Sequence, residues 1–129
     1  MLIDLRAYIL ADTTVSGLIG TRFHFERIPQ NAAFPNCEFS IIDERVLNTH
    51  GSDENQLNSD LIQIDVYAKT GLNSLEIKDA LKDRLNSKAF TQGTTRFGFI
   101  QWDSNFSGYE PNLELFTQTI TLEVKWSDA

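Results

Sequence analysis

Apolar and polar residues alternate most regularly at the end of the chain. Phe116, Gln118, Ile120, Leu122, Val124 and Trp126 fall on one side of an extended backbone, and Thr117, Thr119, Thr121, Glu123 and Lys125 on the other. The same period of two predicts a strand over 61–69, where Ile62, Ile64, Val66 and Ala68 oppose Gln63, Asp65 and Tyr67. Shorter alternations predict strands at 21–28 (Phe23 and Phe25), from about Asn36 (Cys37, Phe39 and Ile41) and at 95–103.

A period near 3.6 appears twice. Leu2, Leu5 and Ile9, with Ile3 and Leu10 beside them, predict a helix over 2–12. Asp12 or Thr13 then caps a further turn carrying Val15, Leu18 and Ile19, which Gly20 ends. After Gly71, the residues Ile77, Ala80, Leu81, Arg84 and Leu85 follow helical spacing and predict the second main helix, with Asn73 and Glu76 spaced as a capping box.

Breakers and polar runs organise the rest. Pro29 and Pro35 lack amide donors and hold the residues before them extended, which keeps 29–35 out of a sheet interior. The segment 43–60 carries Asp43, Glu44, Asp53, Glu54 and Asp60 against Arg45 alone, with turn residues at 51–55. It predicts two strands prolonged into a long hairpin arm with a mobile tip. The segment 104–112, with Gly108 and Pro111, predicts a loop. The expectation is an α+β fold: one domain, 1–129, with a mostly antiparallel sheet of about five strands and two main helices packed on one face.

Length and composition agree with one domain holding a core of its own, since the chain has 129 residues, 41% of them hydrophobic. Charge narrows the function classes. A net charge of −7 with dispersed basic residues argues against nucleic-acid binding, which draws on clustered Lys and Arg. The one basic group, Lys78, Lys82, Arg84 and Lys88, is interleaved with Glu76, Asp79 and Asp83 and reads as a solvated helix face. Cys37 is the sole cysteine, so no disulfide forms within the chain, and the first twelve residues are too short and too charged for a membrane span. Synthesis in the cytoplasm is the expectation.

Catalytic and metal motifs are weak. His50 with Asp53 and Glu54 lacks the ligand spacing of zinc or calcium sites and reads as a solvated loop. No nucleophile elbow or phosphate loop occurs, and Asp43 and Glu44 point to opposite sides of a strand. Phe97, Phe99 and Trp102 lack the basic neighbours of a base-stacking platform and read as core. No cofactor, metal or enzyme activity is expected.

The order of the pieces resembles a known family. A short helix leads to V-x-x-L-I-G (Val15 to Gly20) and a brief strand, then P-Q-x-A-x-x-P (Pro29, Gln30, Ala32, Pro35) opens a strand. The strand I-Q-I-D-V-Y-A (Ile62 to Ala68), a helix with L-K-D-R-L (Leu81 to Leu85) and a long last strand follow. This layout is similar to the tail-completion, or tail-terminator, proteins of long-tailed bacteriophages and prophages. The resemblance implies a homohexameric ring at the head-proximal end of the tail tube. Such a ring stops tube polymerisation and joins the head connector, and DNA passes through it without specific binding. The implied partners are further copies of the chain, the tube protein and the connector or stopper, in the tail-neck region of the virion.

Interface candidates are Pro29, Gln30, Ala32, Phe34 and Pro35, then His50, Asp53 and Glu54 in the arm, then Phe106 and Tyr109. The last two either anchor a partner or cap the sheet. The acidic stretch 43–60 either lines the lumen or forms a solvated arm. A reading from another class is a small non-enzymatic binding module with a ferredoxin-like sheet.

Overall fold

The structure, a computed structural model, describes residues 1–26, 33–47 and 57–129. The elements run α1 (Leu2–Leu10), α2 (Thr13–Ile19), β1 (Phe23–Phe25), β2 (Asn36–Leu47), β3 (Leu57–Ala68), α3 (Gly71–Leu85), β4 (Phe90–Gln92), β5 (Thr95–Glu110) and β6 (Leu115–Asp128). The six strands form one sheet in the order β1-β2-β3-β6-β5-β4. All neighbours are antiparallel except β1 and β2, which run parallel.

The α+β class holds, but the detail differs from the expectation. The described residues form six strands where about five were expected, because the three-residue β4 is too short to show a period. There are three helices rather than two, because the turn after Asp12 is a full helix. Asp12 Oδ1 accepts from the amides of Thr14 at 2.8 Å and Val15 at 3.2 Å, and Gly20, at φ +62°, ends the helix where a side chain is disfavoured. The start of α3 also moves: Thr70, not Asn73, is the cap, and its Oγ1 accepts from Asn73 N at 3.1 Å.

The helices cover one face of the sheet. Leu5, Ile9, Val15, Ile19, Ile77, Leu81 and Leu85 are fully buried against Phe39, Ile62, Ile64, Val66, Ile120, Leu122 and Val124. The alternation in β3 and β6 thus works as read: the apolar positions of both strands face the helices. Cys37 lies in this core.

Arg84 departs from the solvated reading. Its guanidinium lies 3.6 Å over the Tyr8 ring and donates to the Tyr8 carbonyl, from Nε at 3.0 Å and from Nη2 at 2.8 Å, tying α3 to α1. Its neighbour Lys82 is exposed. Phe97 is core as expected, but Phe99 is 40% exposed on the face away from the helices, and Trp102 is half-buried.

The antiparallel arm is present, with β2 and β3 paired out to Leu47 and Leu57. Its tip, 48–56, lies outside the described residues.

Candidate interface surface

The sheet face opposite the helices carries a run of polar and acidic residues. Strand pairing fixes its rows. One row crosses the sheet as His24, Glu38, Asp65, Thr119 and Phe106. The next is Ser40, Gln63, Thr121 and Ser104, followed by Asp43, Leu61, Glu123 and Gln101. The last is Arg45, Ser59, Lys125 and Phe99.

The charges on this face are unequally placed. Its cations sit at one end: Arg45 Nε is 3.0 Å from Asp43 and Lys125 Nζ is 3.9 Å from Glu123, while Arg96, opposite Ser127, is exposed and in no described ion pair. Glu38 and Asp65 lie farther along, side by side on paired strands, with no described cation in ion-pair contact. Asp65 is held by hydrogen bonds instead. Gln63 Nε2 donates to its two oxygens at 3.2 and 3.0 Å, and Thr119 Oγ1 donates to Oδ1 at 3.1 Å.

This crowding shifts titration. Partial burial, then the Asp65 carboxylate, push Glu38 above the ordinary glutamate value. Burial, then Asp65 and Glu38, push the Tyr67 phenol up as well. A shallow concavity of about 660 Å³, lined by Asp65, Tyr67, Glu110, Thr117 and Thr119 among others, lies beside the pair.

The candidates chosen from sequence do not converge on one spot. Phe34 and Pro35 immediately precede β2, where Pro35 O accepts from Arg22 Nε at 2.7 Å. Phe106 and Tyr109 lie on β5 at the same end of the sheet but at its opposite edge: Asn36 pairs with Tyr67, Tyr67 with Thr117, and Thr117 with Gly108. Phe34 is 38% exposed. Pro29, Gln30, Ala32, His50, Asp53 and Glu54 lie outside the described residues.

The expected loop 104–112 is not a loop over most of its length. β5 runs to Glu110, and only 111–114 turn back. The segment had read as a loop because 103–109 are exposed on both faces, so no apolar period marks the strand. Phe106 is 64% exposed and Tyr109 52%, with Tyr109 packed on Phe116 at a ring distance of 4.8 Å.

Sequence reasoning named neither Glu38 nor Asp65 as a surface pair. The polar side of β3 was legible in Gln63, Asp65 and Tyr67, but only the register between strands puts Glu38 next to Asp65.

Among the described residues no group of three or more His, Cys, Asp or Glu is placed to hold a metal. The arrangement offers a broad face rich in carboxylates, with no cluster of unpaired cations among the described residues.

The family model for tail completion protein gp17 matches residues 3–126. Among solved structures, a chain from the virion of a native gene transfer agent particle superposes with a TM-score of 0.64 at 13% identity, over 99% of this chain and 97% of that one. No curated protein gives a significant sequence match.

Proposed function

Because the chain belongs to the tail completion protein gp17 family, and is on that ground a structural protein of a phage tail, we propose that it closes a ring, a homohexamer, on the head-proximal end of the tail tube. The ring stops tube growth and presents the surface that the head connector or stopper joins. The subunit acts as one domain and as a scaffold rather than an enzyme. It is made in the host cytoplasm and takes its place in the tail-neck region.

The observation that supports this reading is the two-sided sheet. Three helices cover one face, and the other carries Glu38, Asp65, Asp43 and Glu123 among threonines and glutamines, with Arg45 and Lys125 engaged by acids and Arg96 its one described cation outside an ion pair. We assign that bare face to the lumen. Strong DNA binding needs several unpaired Lys or Arg on phosphates, and a face without them lets DNA move past. Of the two readings of the acidic stretch 43–60, lumen lining or solvated arm, this assignment needs only its first residues, in β2, to face the lumen together with the rest of the sheet.

The test is deletion of the gene followed by imaging of the particles. The expected result is tails of irregular length and few joined heads. Tails of normal length joined to heads would overturn the reading. The lumen assignment has its own test in the double variant Glu38→Lys/Asp65→Lys, which should slow DNA ejection from complete particles. Unchanged ejection would remove the bare face from the lumen.

A further inference from the structure

Both lateral edges of the sheet are only partly covered. On one side β1 pairs with β2 from Cys37 to Phe39, and among the described residues no strand continues along β2 from Ile41 to Leu47. On the other side β4 covers Thr95–Phe97 of β5. The segment after α3 carries that cover on, with Ser87 N donating to Ile100 O at 2.8 Å and Ile100 N to Lys88 O at 3.1 Å. Trp102 N donates to Asn86 Oδ1 at 3.3 Å. From Asp103 to Glu110, no described strand lies outside β5.

Such edges invite pairing, and proteins blunt them with charged side chains, lysine above all, with proline, with bulges or with a covering element. Neither open stretch contains lysine or proline. Each begins at a shift in register, between Ile41 and Asp43 and between Trp102 and Ser104, which re-aims the strand away from its short cover. Each also exposes apolar side chains: Ile42 at 50% and Val46 at 52% on one edge, Phe106 at 64% and Tyr109 at 52% on the other. Val46 and Tyr109 project on the helix side of the sheet and Phe106 on the other.

We propose that the open stretch of β5 (103–110) in one copy of the chain pairs with the open stretch of β2 (41–47) in the next, so that the sheet runs on across the subunit boundary. This rests on the ring reading above and names the contact that closes the ring. It is a heterologous contact between two different patches of one chain, the type that generates rings.

Two features select a second copy as the occupant. The first is direction. β6 runs with β2 and β5 runs against both, and rotation about a ring axis preserves each strand's sense along that axis. β5 of one copy therefore meets β2 of the next antiparallel.

The second is stagger. The open stretches sit at different heights: Glu44 is level with Val124 of β6 through Asp60, and Phe106 is level with Thr119. Five residues along a strand is about 17 Å, and the four strands from β2 to β5 span about 19 Å. The two edges meet when the strands incline by about 40° to the ring axis, within the roughly 35–45° of closed barrels. The bare, acidic face then lines one side of a continuous wall.

The test is crosslinking in assembled particles. Arg45→Cys and Phe106→Cys lie on the same face of the sheet, and buried Cys37 does not compete for them. The expected result after oxidation is a ladder of covalent multimers from the double variant and monomer from each single variant. A second double variant, Arg45→Cys/Ser104→Cys, shifts the register by one pair. No ladder from either double variant would overturn the proposal, and so would dimers from a single variant, which mark a two-fold contact.

Edge blocking is the second arm. Val46→Lys/Phe106→Lys should keep the melting temperature of the monomer and reduce joined particles at least tenfold. Normal particles from this variant overturn the edge pairing while the terminator reading stands. Normal tails after gene deletion overturn the terminator reading itself.

Discussion

Glu38 and Asp65 are directly paired residues of neighbouring antiparallel strands, and both project from the sheet face that no helix covers. Like charges facing each other across a strand pair destabilise it. Partial burial, then Asp65, raise the Glu38 carboxyl above its ordinary value of 4.5. An acid whose value is raised by folding binds its proton more tightly in the folded state. Its favourable contribution is complete below the unfolded value and is lost as pH rises through the folded one.

Glu38→Gln should therefore raise the melting temperature by a few degrees at pH 7.5, with the gain shrinking as pH falls toward 4. Thermal melts of both proteins across that range check it. A gain that does not vary with pH would mean that Glu38 acts through packing and not through charge.

Arg84 spans α3 and α1 by stacking on Tyr8 and donating twice to its carbonyl. Hydrogen bonds from a charged donor contribute about 1.5–3 kcal/mol each before solvent exposure is discounted. Arg84 is half-buried, so Arg84→Ala should cost about 1–3 kcal/mol in a urea titration, within the usual range for loss of a buried network. Arg84→Lys should recover little of it, because an ammonium neither stacks flat nor forks onto one carbonyl. Full recovery by lysine would make the contribution one of charge alone.

The part of this fold that the sequence disclosed is the part where one face meets the core and the other meets water. β3, β6 and α3 satisfy that condition, and their apolar periods show through a few buried polar positions such as Gln118 in β6 and Ser74 in α3. The second half of β5 does not: it extends beyond the helices, so neither face is buried and it resembles a loop. Arg84 was misread because its partner is 76 residues away, on a helix whose packing no local spacing reveals.

The Glu38–Asp65 row was half legible for the same reason. Strand period assigns each residue to a face, whereas register and strand order assign neighbours. The layout of short motifs, matched to a family, carried the functional reading further than any single residue did.

Cys37 is fully buried between β1 and β3, and burial pushes its thiol well above the ordinary cysteine range. The thiolate is the reactive form. Native protein should leave a thiol reagent such as Ellman's unreacted over an hour at pH 8, and should release one equivalent once denaturant is added. Fast native reaction would mean that the β1 edge opens readily, and it would complicate the cysteine crosslinks at the subunit boundary.

Gln118 connects the core to the exposed half of β5. It is 2% exposed on the helix-covered face, where Oε1 accepts from Asn105 Nδ2 at 3.1 Å and from Ser107 Oγ at 3.0 Å. Its Nε2 donates to Ser74 Oγ at 3.3 Å, which ties the same group to α3. Replacing it with leucine leaves Ser74 its bond to the Gly71 carbonyl and leaves Asn105 and Ser107 open to water, so few buried groups are orphaned. The global cost of Gln118→Leu should stay near ~1 kcal/mol. The local effect should be larger, because the side-chain bonds that hold 105–107 are gone. Amide hydrogen exchange read by mass spectrometry should rise most over 103–110 and little over β3. A uniform rise across the sheet would show that Gln118 serves the core alone, and the order of the β5 edge would then rest on its pairing with β6.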